Sequence, residues 1–428
     1  MLEKIYIVTD LGPGDGGKGG IVHSLAHKYD ASVIIKRGGA QGSHGVRTSR
    51  GESFNFSQWG CGTLEGIPTF LSEQMVIMPV GLKNEAEALQ ELGVDSPFLL
   101  ISADPYCICA TPYHKIASHL EELKLGDKPR GTIGSGVGQA YRMYEELGWA
   151  FTIYAHELIH KHVVFSKLFN QRAEYQRRYR NYPKDNGLAV DAPLIAEELE
   201  LLYDDGYLEF SVDLFMEIGE KLRQETLSDV LEKENGVAIV ECSHGVLTDA
   251  ETGLRPHVSA IRTLPKFTVV MLKKAGFEGE IVNLAVHRAY EIRHGAGPMP
   301  TYDEAFTKQM LPGSHKAENR WQGIVRAGPL DFNLLRRAVR ACSDTPFDGI
   351  CVTWFDQVLA TGRKWSLCEA YNKFAGDEPI IHDLPIEKPI SKRELFELVD
   401  KVFQDKLDIP LSILSVGPTE LDKIYSKK

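Results

Sequence analysis

The first apolar run, Ile5 to Thr9, is short and β-branched; a glycine-rich turn follows, and IVHSLAHKY then spaces its apolar residues three and four apart. That order predicts a strand, a loop and an amphipathic helix. Ala31 to Gly39 reads as a second strand running into glycines. Further apolar stretches predict buried strands at Gln74 to Pro79, Phe98 to Ser102, Val237 to Glu241, Thr268 to Leu272, Ile350 to Phe355 and Leu411 to Val416. Because they recur along the whole chain, the expectation is an α/β fold with one large, mostly parallel central sheet flanked by helices.

Between Pro112 and Asn235 the pattern becomes helical and charged, as in YHKIASHLEELK and FNQRAEYQRRYRNYPKDN. This predicts a mainly helical insertion (112–235) within a single domain of residues 1–428. The basic cluster from Arg172 to Lys184 reads as a solvated helix face. SKRELFELVDKVFQDKL near the end predicts a terminal helix, followed by one more strand and a Gly-Pro turn.

Charge narrows the function. Lys+Arg 48 against Asp+Glu 59 gives −11 over 428 residues, which argues against a nucleic-acid binder, since that needs a broad basic surface. A small anionic ligand remains compatible, because a pocket can be positive on an acidic protein. No stretch approaches the roughly 20 apolar residues of a membrane span, so a cytoplasmic protein is expected. Seven cysteines, with one Cys-x-Cys at Cys107 and Cys109, make neither a disulfide framework nor a complete zinc site.

The chemistry is concentrated in glycine loops. Gly12 to Lys18 lies between the first strand and first helix and fits Gly-x4-Gly-Lys. Glycines let backbone N–H groups curl around phosphate oxygens, the helix N-terminus favours an anion, and Lys18 adds a positive charge. Position 19 is glycine, not the Ser or Thr that holds Mg²⁺ in an ordinary P-loop, which speaks against a P-loop kinase. Asp15 is the candidate to hold that ion instead. A second loop, Arg37 to Gly45, carries His44, and a third, Gly131 to Gly138, opens another helix.

Eight segments together resemble the adenylosuccinate synthetase family: GDGGKGGIV (Gly14 to Val22), the His44 loop, GVGQAY (Gly136 to Tyr141), VECSHG (Val240 to Gly245), GAGPMPT (Gly295 to Thr301), AGPLD (Ala327 to Asp331), TWFD (Thr353 to Asp356) and SVGP (Ser415 to Pro418). The resemblance implies a P-loop-like fold of that family and a homodimeric ligase using Mg²⁺ and GTP, with ATP possible. Such an enzyme phosphorylates the 6-oxygen of a purine nucleotide such as IMP and lets aspartate displace the phosphate. By this resemblance Asp15 is the base and a Mg²⁺ ligand, His44 the general acid, and Lys18 a phosphate cation. Gly14, Gly16, Gly17, Gly19, Gly20, Ser43 and Gly45 complete the phosphate loops, with the Ser43 carbonyl on the metal. Trp354, Asp356, Ser415 and Gly417 frame the triphosphate's base. Gln41, Thr132, Ile133, His244, Ser259, Arg320 and Arg326 serve the acceptor and co-substrate.

The departures cluster by role. Gly16 and Gly20 stand where the family has Glu and Lys, Ser43 where it has Gly, and Trp354 where it has Lys. His244 replaces a Gln that contacts the 6-oxopurine, Ile133 a Thr that binds its phosphate, and Leu147 a partner-subunit Arg. Arg320 to Arg326 aligns with an arginine-rich loop that grips aspartate, with only Arg326 in step. The expectation is intact phosphoryl chemistry with a rebuilt acceptor pocket. The alternatives are a dGMP or modified-purine acceptor, a different amine donor, or a silent nucleotide-binding regulator. Viral dGMP-acting relatives lose the loop carboxylate, whereas Asp15 is present.

Overall fold

The computed structural model describes residues 2–126, 128–182, 193–311, 321–362, 364–373, 377–387 and 390–427. Its spine is an eleven-stranded sheet with Leu2–Asp10 near the middle. On one side follow Glu280–Arg288, Gly349–Thr353, Leu411–Ser415 and Lys423–Tyr425; on the other, Gly236–Gly245, Val33–Gly39, Thr69–Ile77, Ile101–Ala103 and Arg223–Gln224. Ile108–Cys109 also pairs with Thr69–Ile77. Every pairing is parallel except the last hairpin, Leu411–Ser415 with Lys423–Tyr425.

The central strand shows why the sheet is covered on both faces. Tyr6 and Val8 enter one apolar cluster while Ile5 and Ile7 enter another, as the two-residue alternation of a strand requires. Between residues 112 and 221 the described elements are mostly helices, among them Pro112–Leu123, Val137–Leu147, Lys161–Tyr179, Pro193–Tyr203 and Asp205–Lys221. The terminal helix is Lys392–Leu407, started by a Ser391 capping box with Glu394.

Some expectations need correction. Thr268 to Leu272 is not a strand but part of the helix Pro265–Lys274. Pro265 opens it, and burial falls on Pro265, Thr268, Met271 and Leu272 while Val270 is 62% exposed, a helical spacing that the local run of apolar residues hid. The segment expected from Gln74 begins earlier, as Thr69–Ile77. Phe98 to Leu100 belongs to a short helical turn before Ile101–Ala103. Glu280–Arg288, a neighbour of the central strand, was not among the expected strands.

The basic cluster is paired with acids. Arg172 contacts Asp205, while Arg177 and Arg178 share Glu174; the cluster's end at residues 183–184 lies outside the described residues. All seven cysteines are buried and free. Among the described residues no helix is long and apolar enough to cross a membrane.

Candidate active site

A cleft of about 1350 Å³ opens at the carboxyl ends of six of these strands, where open parallel sheets collect ligands. Asp10 and the glycine loop leave the central strand, and Ala40 to Gly45 leaves Val33–Gly39. His244 ends Gly236–Gly245, Arg288 ends Glu280–Arg288, and Thr353 to Asp356 and Ser415 to Gly417 finish two more.

The phosphate loop is shaped by a carboxylate beneath it. Buried Asp10 accepts the Gly12 N–H at 2.8 Å and the Gly16 N–H at 2.7 Å, and sits 3.1 Å from the Lys18 ammonium. Lys18 also donates to the His244 carbonyl at 2.8 Å. A Cβ at position 16 would come within 2.6 Å of that Asp10 carboxylate, so the family's Glu has no room here. Gly17, at φ 90°, caps the helix Lys18–Tyr29, and Thr353 donates its hydroxyl to the Gly16 carbonyl at 2.6 Å.

His44 lies over a buried charge relay. Its Nδ1 is 2.6 Å from Glu241, whose same oxygen takes the Lys36 ammonium at 2.8 Å; the other oxygen accepts the Cys61 N–H at 2.9 Å. Burial alone would raise the Glu241 carboxyl, but Lys36 and His44 hold it well below the usual carboxylate range. Burial pushes His44 down to about 4, with Lys18 and Lys36 adding to the effect against Glu241. The ligand atoms of His44, Cys61 and Glu241 lie within 4.8 Å of one another, but the Lys36 ammonium already neutralises that carboxylate, so the cluster reads as a hydrogen-bonded relay.

Asp15, His244 and Trp354 line the cleft with φ of 61°, 60° and 58°. Left-handed backbone at non-glycine residues is costly and gathers where side chains must be aimed. Arg288 ties two of them together: its Nε donates to the Asp15 carbonyl at 2.6 Å, and its guanidinium lies 4.1 Å from the Trp354 ring centroid. Trp354 is thus neither a sealed core residue nor a bare stacking platform. Beside it, burial raises the Asp356 carboxyl, and Lys423, which donates to the Gly417 and Thr419 carbonyls, is pushed down to about 8 by burial. Ser415 closes the turn on the Gly417 carbonyl at 3.0 Å.

The side of the cleft expected to take the acceptor is built differently. Thr132, Ile133 and Ser259 line the cleft, Ile133 being 38% exposed, and Arg130 and Arg142 line it from exposed positions. Gln41 approaches His244 at 2.6 Å. Leu147 packs against the apolar core. Arg326 does not line the cleft: it donates to the Gly295 and Gly297 carbonyls at 2.6 and 2.8 Å. Its cross-strand partner Arg293, which the sequence reading passed over, does line it. Arg320 lies outside the described residues; Trp321, just after it, stacks on His119 with centroids 4.0 Å apart. Gly16 is the other expected residue that stays behind the cleft wall, while the remaining expected positions line it.

Lys36, Glu241, Asp10, Arg288 and Lys423 also escaped the sequence reading. The signal for the relay was present: Lys36 interrupts the apolar VIIKRGG and Glu241 the apolar VAIVEC, and two opposite charges in buried strands usually meet.

Comparison with known proteins matches this architecture. The family model for adenylosuccinate synthetase matches residues 7–419. Adenylosuccinate synthetases of Francisella philomiragia and Azotobacter vinelandii are each 26% identical, covering 95% and 99% of this chain and 94% and 98% of theirs. Fully ligated adenylosuccinate synthetase from Plasmodium falciparum superposes with a TM-score of 0.78 at 18% identity, covering 99% of both chains. The cyanophage S-2L succinoaminodeoxyadenylate synthetase, bound to dGMP and dATP, gives 0.60 at 13% identity, covering 100% of this chain and 97% of its own. A family match that runs from the first strand past the closing Gly417 turn leaves one conclusion: this chain belongs to the adenylosuccinate synthetase family.

Proposed function

We propose that the protein is an NTP-dependent ligase that phosphorylates the 6-oxygen of a purine nucleotide and lets an amine displace the phosphate, with aspartate the default amine and IMP the default acceptor. The observation that carries this reading is the convergence of Asp15, Lys18 and the relay-backed His44 on one cleft. A pure nucleotide-binding regulator needs neither a base nor an acid.

Asp15 takes the N1 proton, so negative charge develops on the 6-oxygen, which attacks the γ-phosphorus as its bond to the β,γ-bridging oxygen breaks and the nucleoside diphosphate leaves. Pushed down to about 4 by burial, His44 is neutral, with its Nδ1–H on Glu241. Phosphate charge beside it favours protonation at Nε2, and the imidazolium then donates to the transferring phosphoryl group. Lys18 and the loop amides balance the phosphate charge. The amine attacks C6, the C6–O bond breaks, inorganic phosphate leaves with the former 6-oxygen, and the new C6–N nitrogen gives up one proton to solvent. Mg²⁺ fits the oxygen donors present, the Asp15 carboxylate and the Ser43 carbonyl, and would spread the charge of the triphosphate.

Asp356 suits a guanine base, whose N1 and N2 donors a carboxylate accepts, so GTP is the expected donor; the dATP in the cyanophage relative makes ATP the second candidate. That relative's dGMP likewise makes a deoxyguanylate acceptor the second reading. A homodimer and a cytoplasmic location are proposed with the family. Leu147 is half-buried against the apolar core, and its apolar side chain offers no donor to a partner's acceptor phosphate.

The test is incubation with Mg²⁺, GTP or ATP, and a panel of IMP, dGMP and GMP, with and without aspartate, following phosphate release and product mass together. Turnover of one oxopurine nucleotide is expected. No turnover with any would sink the ligase reading, and turnover only with another amine would sink aspartate.

A further inference from the structure

The residue at the family's 6-oxopurine contact is His244, and the structure gives it a partner. The Gln41 side-chain nitrogen lies 2.6 Å from His244 Nε2, while the Gln41 amide oxygen is buried with no partner among the described residues. That oxygen lies against Gly39, where a Cβ would also meet Ile261 and Val137 side chains. Of the two ends of an amide, the oxygen is the one better left without a partner against an apolar wall, because orphaned buried N–H groups are the rarer. The N–H₂ therefore faces the imidazole.

An N–H₂ only donates, so Nε2 of His244 must accept, and a neutral imidazole with an acceptor at Nε2 carries its proton on Nδ1. Burial, reinforced by Lys18 and His44, pushes His244 down to about 4, which keeps the ring neutral. Its backbone is pinned as well, by the Lys18 ammonium on its carbonyl and by φ 60°. Nδ1 has no protein partner among the described residues, and His244 lines the cleft together with Asp15 and His44.

We propose that Gln41 is a positioning residue that fixes His244 as the Nδ1–H tautomer, so that His244 presents a hydrogen-bond donor to the 6-oxygen of the acceptor purine. The inference rests on the ligase reading for its ligand. It deepens that reading in two ways. The donor strengthens its bond as the N1 proton departs and the 6-oxygen gains charge. It also opposes a 6-amino purine, whose exocyclic N–H would face another N–H.

Nitrogen-15 NMR of histidine-labelled, ligand-free protein reads the tautomer directly, with His244→Gln assigning the resonances. The expected result is a protonated Nδ1 and an unprotonated Nε2. Gln41→Glu is nearly isosteric but its carboxylate only accepts, so it should move the proton to Nε2 and lower kcat about 100-fold, the size of a lost oxyanion donor. Gln41→Met should cost about tenfold, and triphosphate affinity should stay within about twofold in both. An Nε2–H tautomer in the wild-type protein, or wild-type kcat in Gln41→Glu, overturns the role of Gln41. The two readings fail separately: wild-type protein inert toward every oxopurine nucleotide sinks the ligase reading and its ligand, whereas turnover with an Nε2–H tautomer sinks only the Gln41 assignment.

Discussion

The two ends of the cleft are built on different principles. At the phosphate end Asp10, Lys18, Lys36 and Glu241 are buried and each is paired, and the glycines at 16, 17 and 19 leave no space for a Cβ. At the proposed acceptor and co-substrate end the cleft is walled by Ile133 and by exposed Arg130 and Arg142, while Arg326, on the strand Val325–Gly328, donates to backbone carbonyls instead of lining it. The proposed phosphoryl chemistry sits where the sheet's interior couples each buried charge to others. Apart from the Gln41–His244 pair, the residues that line the proposed acceptor end sit on surface segments, which can change one at a time.

The contrast is broken most severely at Asp15. Asp15→Ala should lower turnover by about 1000-fold or more, since it removes the base, while its thermal melting stays near wild type because the side chain lines the cleft. Substantial residual phosphate release would refute its role as base.

Next comes the relay. Glu241→Gln leaves the Lys36 ammonium buried without its counter-charge, a loss of about 3–5 kcal/mol in chemical denaturation, together with a fall in kcat. The double change Lys36→Met with Glu241→Leu should recover most of the stability and none of the activity. Recovery of both would show that the relay is structural only.

A smaller effect belongs to the base pocket. Asp356→Asn should weaken GTP relative to ATP by about tenfold, the worth of one charge-assisted hydrogen-bond pair. An unchanged preference would remove Asp356 from base recognition.

The pH dependence of stability is a separate test. His44 and His244 are depressed to about 4 and His114 to about 3, all by burial first. In the unfolded chain they bind protons below about 6.5. Between about 6.5 and 4 the unfolded state therefore holds more protons, and stability falls as pH falls, by at most ~1.4 kcal/mol per pH unit for each histidine. Above about 6.5 these groups contribute no slope. His114→Gln, away from the phosphate end, should flatten the slope without a change in the pH dependence of kcat.

The same division governs how much the sequence revealed. The glycine loops were legible because phosphate and backbone geometry dictate their residue types at fixed spacing, whereas the roles of His44, Asp356 and the Ser415 turn were reached through the family resemblance. Strands whose burial is uniform were legible too, such as Val33–Gly39. Glu280–Arg288 was not, because its buried Asn283, His287 and Arg288 interrupt the apolar pattern for reasons set by distant partners: Asn283 by the carbonyls of Thr345 and Pro346, Arg288 by the Asp15 carbonyl. Arg326 shows the converse. The sequence reading expected it at the co-substrate, but which of two paired arginines enters the cleft is decided by the cross-strand neighbour Arg293 and the Gly295 to Gly297 turn.

The central claim is that the 6-oxygen of the acceptor attacks the γ-phosphate before the amine arrives. An oxopurine nucleotide carrying heavy oxygen at position 6, incubated with Mg²⁺, GTP and aspartate, tests it through the isotope content of the phosphate released. The account predicts that each phosphate formed carries the label and that the purine product has lost it. Unlabelled phosphate, released by attack of water while the purine keeps its heavy oxygen, would contradict it.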